Sequence, residues 1–277
     1  MLTTALAVAG LDPSGGAGLS ADLRGFAAAS VWGAAVAAVL TVQSTRGVRR
    51  VLPVAAPLVT AQAEEVLADA RVRAIKVGAL GSARNARAVT ALLAAYPRVP
   101  AVIDPVMIPS RAASPGARLD GGIVALRALA RKATLVTPNL AEASALLGRA
   151  IASTEEARAA AVSLVEEGAM AALVKGGHGA GPEAVDWLAL RGRAGSAPRV
   201  VRIARPRRRT PKLHGTGCTL SALIAGRLAA GARGPARLPT EAELIAAVRW
   251  ARARLDRALA RPLVTGAGLR VLDVTRR

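Results

Sequence analysis

Short apolar runs, most ending in a glycine or a small polar residue, alternate with helical patterns along most of this 277-residue chain, and that alternation constrains its fold more than any other feature. The apolar runs cover residues 4–10, 31–40, 48–54, 74–79, 101–103, 133–137 and 171–175. The helical patterns cover 19–30, 60–70, 83–96 and 121–132, a start at 138–142, and 154–168. Strands that alternate with helices build a mainly parallel sheet, because each return to the sheet crosses over through a helix. The expectation is an α/β fold, a central and mostly parallel sheet flanked by helices on both faces. Two period-two stretches, 184–190 and 199–203, depart from the alternation and predict a small β-hairpin within 184–204. Long helices are expected over 216–230 and 240–260, the second with arginines on its outer face, and a loop and short strand after 261. With no internal repeat or low-complexity linker, residues 1–277 are read as a single domain.

In open sheets of this kind, ligands sit beyond the carboxyl ends of the strands. Asp12, Gln43, Gly78, Asp104, Asn139, Lys175 and Gly215 all fall at such ends. Asp12 lies in the loop Leu11-Asp12-Pro13-Ser14-Gly15-Gly16-Ala17-Gly18, whose glycine spacing fits neither a dinucleotide fingerprint nor a phosphate loop. An Asx turn is the plain alternative for that aspartate. Gln43 belongs to a polar break at 41–47. Asp104 ends a buried strand, where a carboxylate is costly without a partner or a task. Asn139 and Glu142 share one helix face, and a capping box accounts for the same spacing.

The run His214-Gly215-Thr216-Gly217-Cys218-Thr219-Leu220-Ser221-Ala222 is a glycine-rich turn entering an apolar helix. First-turn amides lack intrahelical partners and the helix dipole adds positive potential, so the turn predicts a phosphate or phosphoryl site. Cys218 falls in that first turn, where the same field is expected to lower its thiol pKa. A simple helix cap is the competing reading. Just upstream, Arg205-Pro206-Arg207-Arg208-Arg209-Thr210-Pro211-Lys212 reads as a solvated loop from which a guanidinium can also reach a polyphosphate.

Composition narrows the class. One cysteine cannot form an internal disulfide, and with two histidines it cannot furnish a familiar zinc site, which fits a reducing cytoplasm. Apolar runs are too short for a membrane span. The net charge of +20 invites nucleic acid, but only Lys76, Lys132, Lys175 and Lys212 are lysine and the arginines are scattered. Phe26, Trp32, Tyr96, Trp187 and Trp250 are too few and dispersed for base stacking, so no dedicated nucleic-acid or membrane partner is expected.

Six blocks in order carry a resemblance. Ala9-Gly10-Leu11-Asp12-Pro13-Ser14-Gly15-Gly16-Ala17-Gly18 with Ala21-Asp22-Leu23, then Asp104-Pro105-Val106-Met107, Thr137-Pro138-Asn139-Leu140, Val174-Lys175-Gly176-Gly177-His178 and His214-Gly215-Thr216-Gly217-Cys218-Thr219, resemble the hydroxymethylpyrimidine/phosphomethylpyrimidine kinases of thiamine biosynthesis. The similarity is strongest over 4–232, leaving 233–277 as a C-terminal helix and tail. It implies a ribokinase-like fold and ATP-dependent phosphorylation of a pyrimidine hydroxymethyl group and then of the monophosphate. The acceptor would lie against Gly10, Asp12, Ala17, Gln43 and Ala79. ATP would lie across Asn139, Lys175, Gly177 and Thr216, with Mg²⁺ held by Asp104 and Glu142. The backbone of Gly215, Thr216, Gly217 and Cys218 would form the anion hole, with Cys218 as base or as positioner of the acceptor. A homodimer is implied as well. Ala79 replaces the family's usual methionine, Leu11 a small polar residue, and 108–111 and 211–213 also depart from the pattern. These departures leave open a vitamin B6 kinase, and a non-catalytic ligand-binding homologue is the third reading.

Overall fold

The computed structural model describes residues 1–107, 122–176, 182–193, 195–207 and 210–276. Along the chain run β1 (Thr4–Leu11), α1 (Gly18–Ala28), β2 (Trp32–Ser44), β3 (Gly47–Pro53), α2 (Ala56–Asp69), β4 (Val72–Val77), α3 (Ala83–Ala95) and β5 (Ala101–Ile103). After these come α4 (Ile123–Ala130), β6 (Leu135–Val136), α5 (Leu140–Leu147), α6 (Thr154–Glu166) and β7 (Ala171–Val174). The order ends with β8 (Glu183–Leu190), β9 (Arg199–Pro206), α7 (Thr216–Gly231) and α8 (Glu241–Leu259).

The strands form one sheet in the order β3-β2-β1-β4-β5-β6-β7-β8-β9. All neighbours from β2 to β7 pair in parallel, and β3, β8 and β9 add antiparallel edges. Parallel strands need cover on both faces. Alternate residues of β1 supply it, since Leu6 and Val8 pack with α2 to α6 while Ala5, Ala7 and Ala9 pack with α1, α7 and α8. The expected hairpin at 184–204 is present, but β8 also pairs with β7, so it extends the main sheet.

Two expectations need correction. The polar break at 41–47 is mostly strand, because β3 pairs antiparallel with Leu40 through Ser44 and satisfies their backbone. Polar side chains on one face hid the period of two: Thr41 and Gln43 are half-buried while Leu40, Val42 and Ser44 are exposed. On α8, Arg249 and Arg257 are exposed as expected, whereas Arg252 turns inward, 8% exposed and ion-paired with Asp186.

The sheet order reverses direction at β1, whose neighbours β2 and β4 follow it on opposite sides. Such a switch point opens a crevice at the carboxyl edge. Asn85 on α3 stabilises that edge, its buried Nδ2 donating to the carbonyls of Ala38 (3.2 Å), Val54 (3.1 Å) and Leu80 (2.8 Å). Asn85→Leu leaves three carbonyls without this donor and is expected to lower unfolding free energy by about 2–3 kcal/mol, measured by urea denaturation.

Candidate active site

The loop after β1 is organised by Asp12. Its Oδ1 accepts from the Ser14 amide (2.9 Å) and hydroxyl (2.7 Å), and Oδ2 accepts from the Ala17 amide (2.9 Å). The Asx-turn alternative therefore holds, and the carboxylate is occupied by its own loop. Burial pushes its pKa up, but hydrogen bonds from His214 and Ser14 outweigh this and keep it below the ordinary aspartate value.

His214 joins three distant parts of the chain. Its Nε2 lies 2.8 Å from Asp12 Oδ2 and 2.8 Å from the Gln43 carboxamide. Gly10 and Ala79 lie close together, a Cβ built on Gly10 lying 3.7 Å from Ala79 Cβ. A cavity of about 540 Å³ opens over Ser14, Gln43 and Thr45 and is walled on its far side by Thr265, Gly266 and Ala267. The tail is fixed there by backbone: Leu269 N–H donates to Thr45 O (2.8 Å), and His214 N–H donates to Arg270 O (2.9 Å).

The amino end of α7 follows directly on His214. Gly215 caps it in the left-handed region at φ +77°, with no side-chain cap, and any side chain there would strike Gly16 O. The first intrahelical bond is Thr219 N–H to Gly215 O (2.9 Å), so the amides of Thr216, Gly217 and Cys218 precede the helical ladder. Gly217 faces Lys175 and Asp104, a Cβ there lying 3.3 Å from Nζ and 3.4 Å from Oδ2. This is a backbone cradle with a cation beside it, the arrangement that stabilises a phosphoryl group in transfer.

Lys175 Nζ pairs with Asp104 Oδ1 (2.9 Å) and lies 3.9 Å from Glu142 Oε2. Asp104 is 2% exposed, and burial of Lys175 is more than offset by the two carboxylates, which hold its pKa above the ordinary lysine value. Burial pushes Glu142 up to about 7 against the pull of Lys175. Asn139 and Glu142 form a capping box, with Glu142 N–H to Asn139 Oδ1 at 2.9 Å and Asn139 N–H to Glu142 Oε2 at 2.8 Å. The structural alternative for that pair is thus present, and Asn139 Oδ1 is engaged with α5. Among the described residues no three His, Cys, Asp or Glu gather as a metal cluster. Gly177 lies outside the described residues.

Cys218 contradicts the expectation of a lowered pKa. Burial pushes its thiol up to about 11; Lys76 pulls it down, Asp104 and Asp22 add to the rise, and the Gly18 amide bonds the sulfur. Desolvation outweighs the helix dipole, so the thiol is protonated at neutral pH. Beneath it lies an ion pair that sequence reading left without a role: Lys76 Nζ meets Asp22 at 2.8 Å with both side chains fully buried. Its signal was legible, a lysine inside Ala74-Ile75-Lys76-Val77. His214 was likewise quoted in a motif without an assigned task. The basic run reads differently too. Arg205 turns inward to Asp186 (3.4 Å) and Asp256 (3.2 Å), and Arg207 donates to the Glu183 carbonyl (2.7 Å). Arg208 and Arg209 lie outside the described residues.

A doubly wound sheet with an uncapped helix amino end facing a lysine–carboxylate pair defines an ATP-dependent kinase of the ribokinase-like class. The phosphomethylpyrimidine kinase model matches residues 12–273, and the chain belongs to that family. A Rhizobium meliloti hydroxymethylpyrimidine/phosphomethylpyrimidine kinase is 43% identical over 234 residues, 83% of this chain and 84% of that protein. Among solved structures, the Staphylococcus aureus pyridoxal kinase in complex with AMP-PCP and pyridoxal superposes with a TM-score of 0.82 at 26% identity, covering 99% of this chain and 94% of that one. The phosphomethylpyrimidine kinase of Clostridium difficile superposes with a TM-score of 0.72 at 29% identity, covering 92% and 98%.

Cys218 is the sole cysteine, so alkylation reports it alone. Its iodoacetamide reaction rate is expected to rise with pH towards a midpoint near 11. A midpoint below about 7.5, well under the ordinary thiol value of about 8.5, would restore a thiolate lowered by the helix dipole.

Proposed function

We propose that this protein transfers the γ-phosphoryl group of ATP to 4-amino-5-hydroxymethyl-2-methylpyrimidine and then to its monophosphate, giving the diphosphate used in thiamine biosynthesis. The observation that carries this reading is the uncapped Gly215–Cys218 turn beside Lys175 and Asp104, with His214, one residue upstream, bonded to Asp12 and Gln43. A carboxamide such as Gln43 offers both donor and acceptor, which suits an aminopyrimidine edge. The resemblance assigns Gly10, Ala17 and Ala79 to the acceptor side. The amides of Thr216, Gly217 and Cys218 hold the phosphoryl oxygens, and Lys175, bridged to Asn139, takes the nucleotide side, to which the resemblance also assigns Gly177.

Asp104 and Glu142, two hard carboxylates near one cation, fit Mg²⁺, which takes few protein ligands and keeps waters and substrate phosphates as the rest. When bound, Mg²⁺ would neutralise charge on the phosphates. Cys218 enters protonated and positions the acceptor hydroxyl. Cys218→Ser is accordingly expected to keep first-phosphorylation turnover within about tenfold of wild type, whereas a loss near 10³-fold would match an essential base.

The second reading is a pyridoxal or pyridoxine kinase. It is favoured by the close superposition on a pyridoxal kinase and by Ala79, which leaves more room than the family's methionine. A non-catalytic homologue is disfavoured by the intact Gly215–Cys218 turn, Lys175 and Asp104. We read residues 1–277 as one catalytic unit. We place it in the cytoplasm, without membrane or dedicated nucleic-acid partner; no helix among the described residues is long and apolar enough to cross a membrane. A homodimer is supported by an exposed apolar row across three adjacent strands, Leu11, Leu40 and Leu52, with Val42 beside it. A coupled ADP-release assay separates the acceptors: fastest turnover is expected with hydroxymethylpyrimidine and its monophosphate. Faster turnover with pyridoxal would select the second reading, and no ADP with any acceptor would overturn both.

A further inference from the structure

The nucleotide-side lysine is only as well placed as the backbone that carries it. Lys175 follows the last residue of β7, and its amide donates to Pro138 O (2.9 Å), which fixes one side. The other side is fixed by a residue from the next strand. Asp186 Oδ1 accepts from the Gly176 amide at 3.0 Å, and a side chain on Gly176 would run into the carbonyl oxygen of Val185. Asp186 is 1% exposed, so its charge requires compensation. Arg252 Nε lies 2.9 Å and Arg205 Nη1 3.4 Å from Oδ2, and Arg205 also pairs with Asp256 at 3.2 Å. Two carboxylates and two guanidiniums make the cluster neutral, with Oδ1 left for the Gly176 amide. A charged acceptor makes the stronger and shorter kind of hydrogen bond.

We propose that Asp186 is a positioning residue for the nucleotide phosphates: through Gly176 it sets the height of Lys175 above Asp104 and Gly217. The Arg252–Arg205–Asp256 cluster surrounds that buried carboxylate with partners, tying the phosphate side of the site to α8. The proposal rests on the reading of Lys175 as the nucleotide-side cation.

Two double variants isolate the Gly176 bond, because Arg252→Met removes the cation that would otherwise lose its partner. Asp186→Asn with Arg252→Met keeps an acceptor oxygen; Asp186→Leu with Arg252→Met does not. The leucine pair is expected to raise the KM for ATP at least tenfold over the asparagine pair, on the order of one buried amide left without an acceptor, with the acceptor KM within about twofold. Equal ATP KM in the two pairs, or a parallel rise for both substrates, would overturn the assignment. Wild-type hydrogen exchange decides the case if the leucine pair does not fold: the Gly176 amide must be strongly protected without nucleotide, and exchange at the open-chain rate refutes the proposal. Lys175→Met is run alongside; if it leaves the ATP KM unchanged, the underlying reading of Lys175 fails and the proposal falls with it, distinguishable from a failure confined to Asp186.

Discussion

The Lys76–Asp22 ion pair is the constraint on which the site's geometry depends. Both side chains are fully buried, so neither can exchange its partner for water. Burial pushes Asp22 up to about 6 against the pull of Lys76, and losing one member of such a pair typically costs about 3–5 kcal/mol. The pair therefore pins α1 to β4. Gly78 has no side chain at the place Lys76 Nζ needs, a Cβ there lying 2.6 Å from it. Gly25 and Gly226 bring α1 and α7 together, a Cβ on Gly25 lying 2.7 Å from the Ala222 methyl of α7 and one on Gly226 2.9 Å from the methyl of Ala29, the residue that caps α1. With α1 held, the Asp12 loop and the amino end of α7 have one relative placement.

From that placement follows an alternation of charge along the carboxyl edge: Asp22, Lys76, Asp104, Lys175 and Glu142. Each carboxylate lies near a cation, whose pull offsets part of the cost of burying it. Helix termini divide the labour in the same way. α5, α6 and α8 begin with capping boxes at Asn139–Glu142, Ser153–Glu156 and Thr240–Glu243, which engage first-turn amides internally. α7 begins with Gly215 and, like α1, α2 and α4, has no side-chain cap, so its first-turn amides stay outside the helical ladder.

Much of this was legible because chain order and chemistry coincide at strand ends. The alternation of strands and helices exposed the parallel sheet, and Asp104, Lys175 and the Gly215–Cys218 turn stood out as polar residues where an apolar strand stops. What sequence could not show was who meets whom. Residues 12, 43 and 214 are far apart in the chain, and only the sheet order brings them to one nitrogen. The Cys218 pKa went wrong because a helix amino end is visible in sequence whereas the depth of a sulfur is not. Gln43 was placed in a break because polar residues on a strand whose inner face lines a pocket mimic a loop. Arg205 and Arg252 were read as solvated because arginine is usually exposed, and their carboxylates come from β8 and α8.

The tail carries a consequence for biogenesis. Gly266 and Gly268 press so closely on Thr45 that any side chain at either position would collide with it, while the backbone at 269–271 ties to Thr45, His214 and Leu263. The far wall of the cavity over Gln43 is thus made by residues that leave the ribosome after the whole sheet and both long C-terminal helices have been synthesised. Domains generally fold as units. That cavity is therefore complete only once the last residues have emerged, and a chain cut short before residue 265 lacks its far wall.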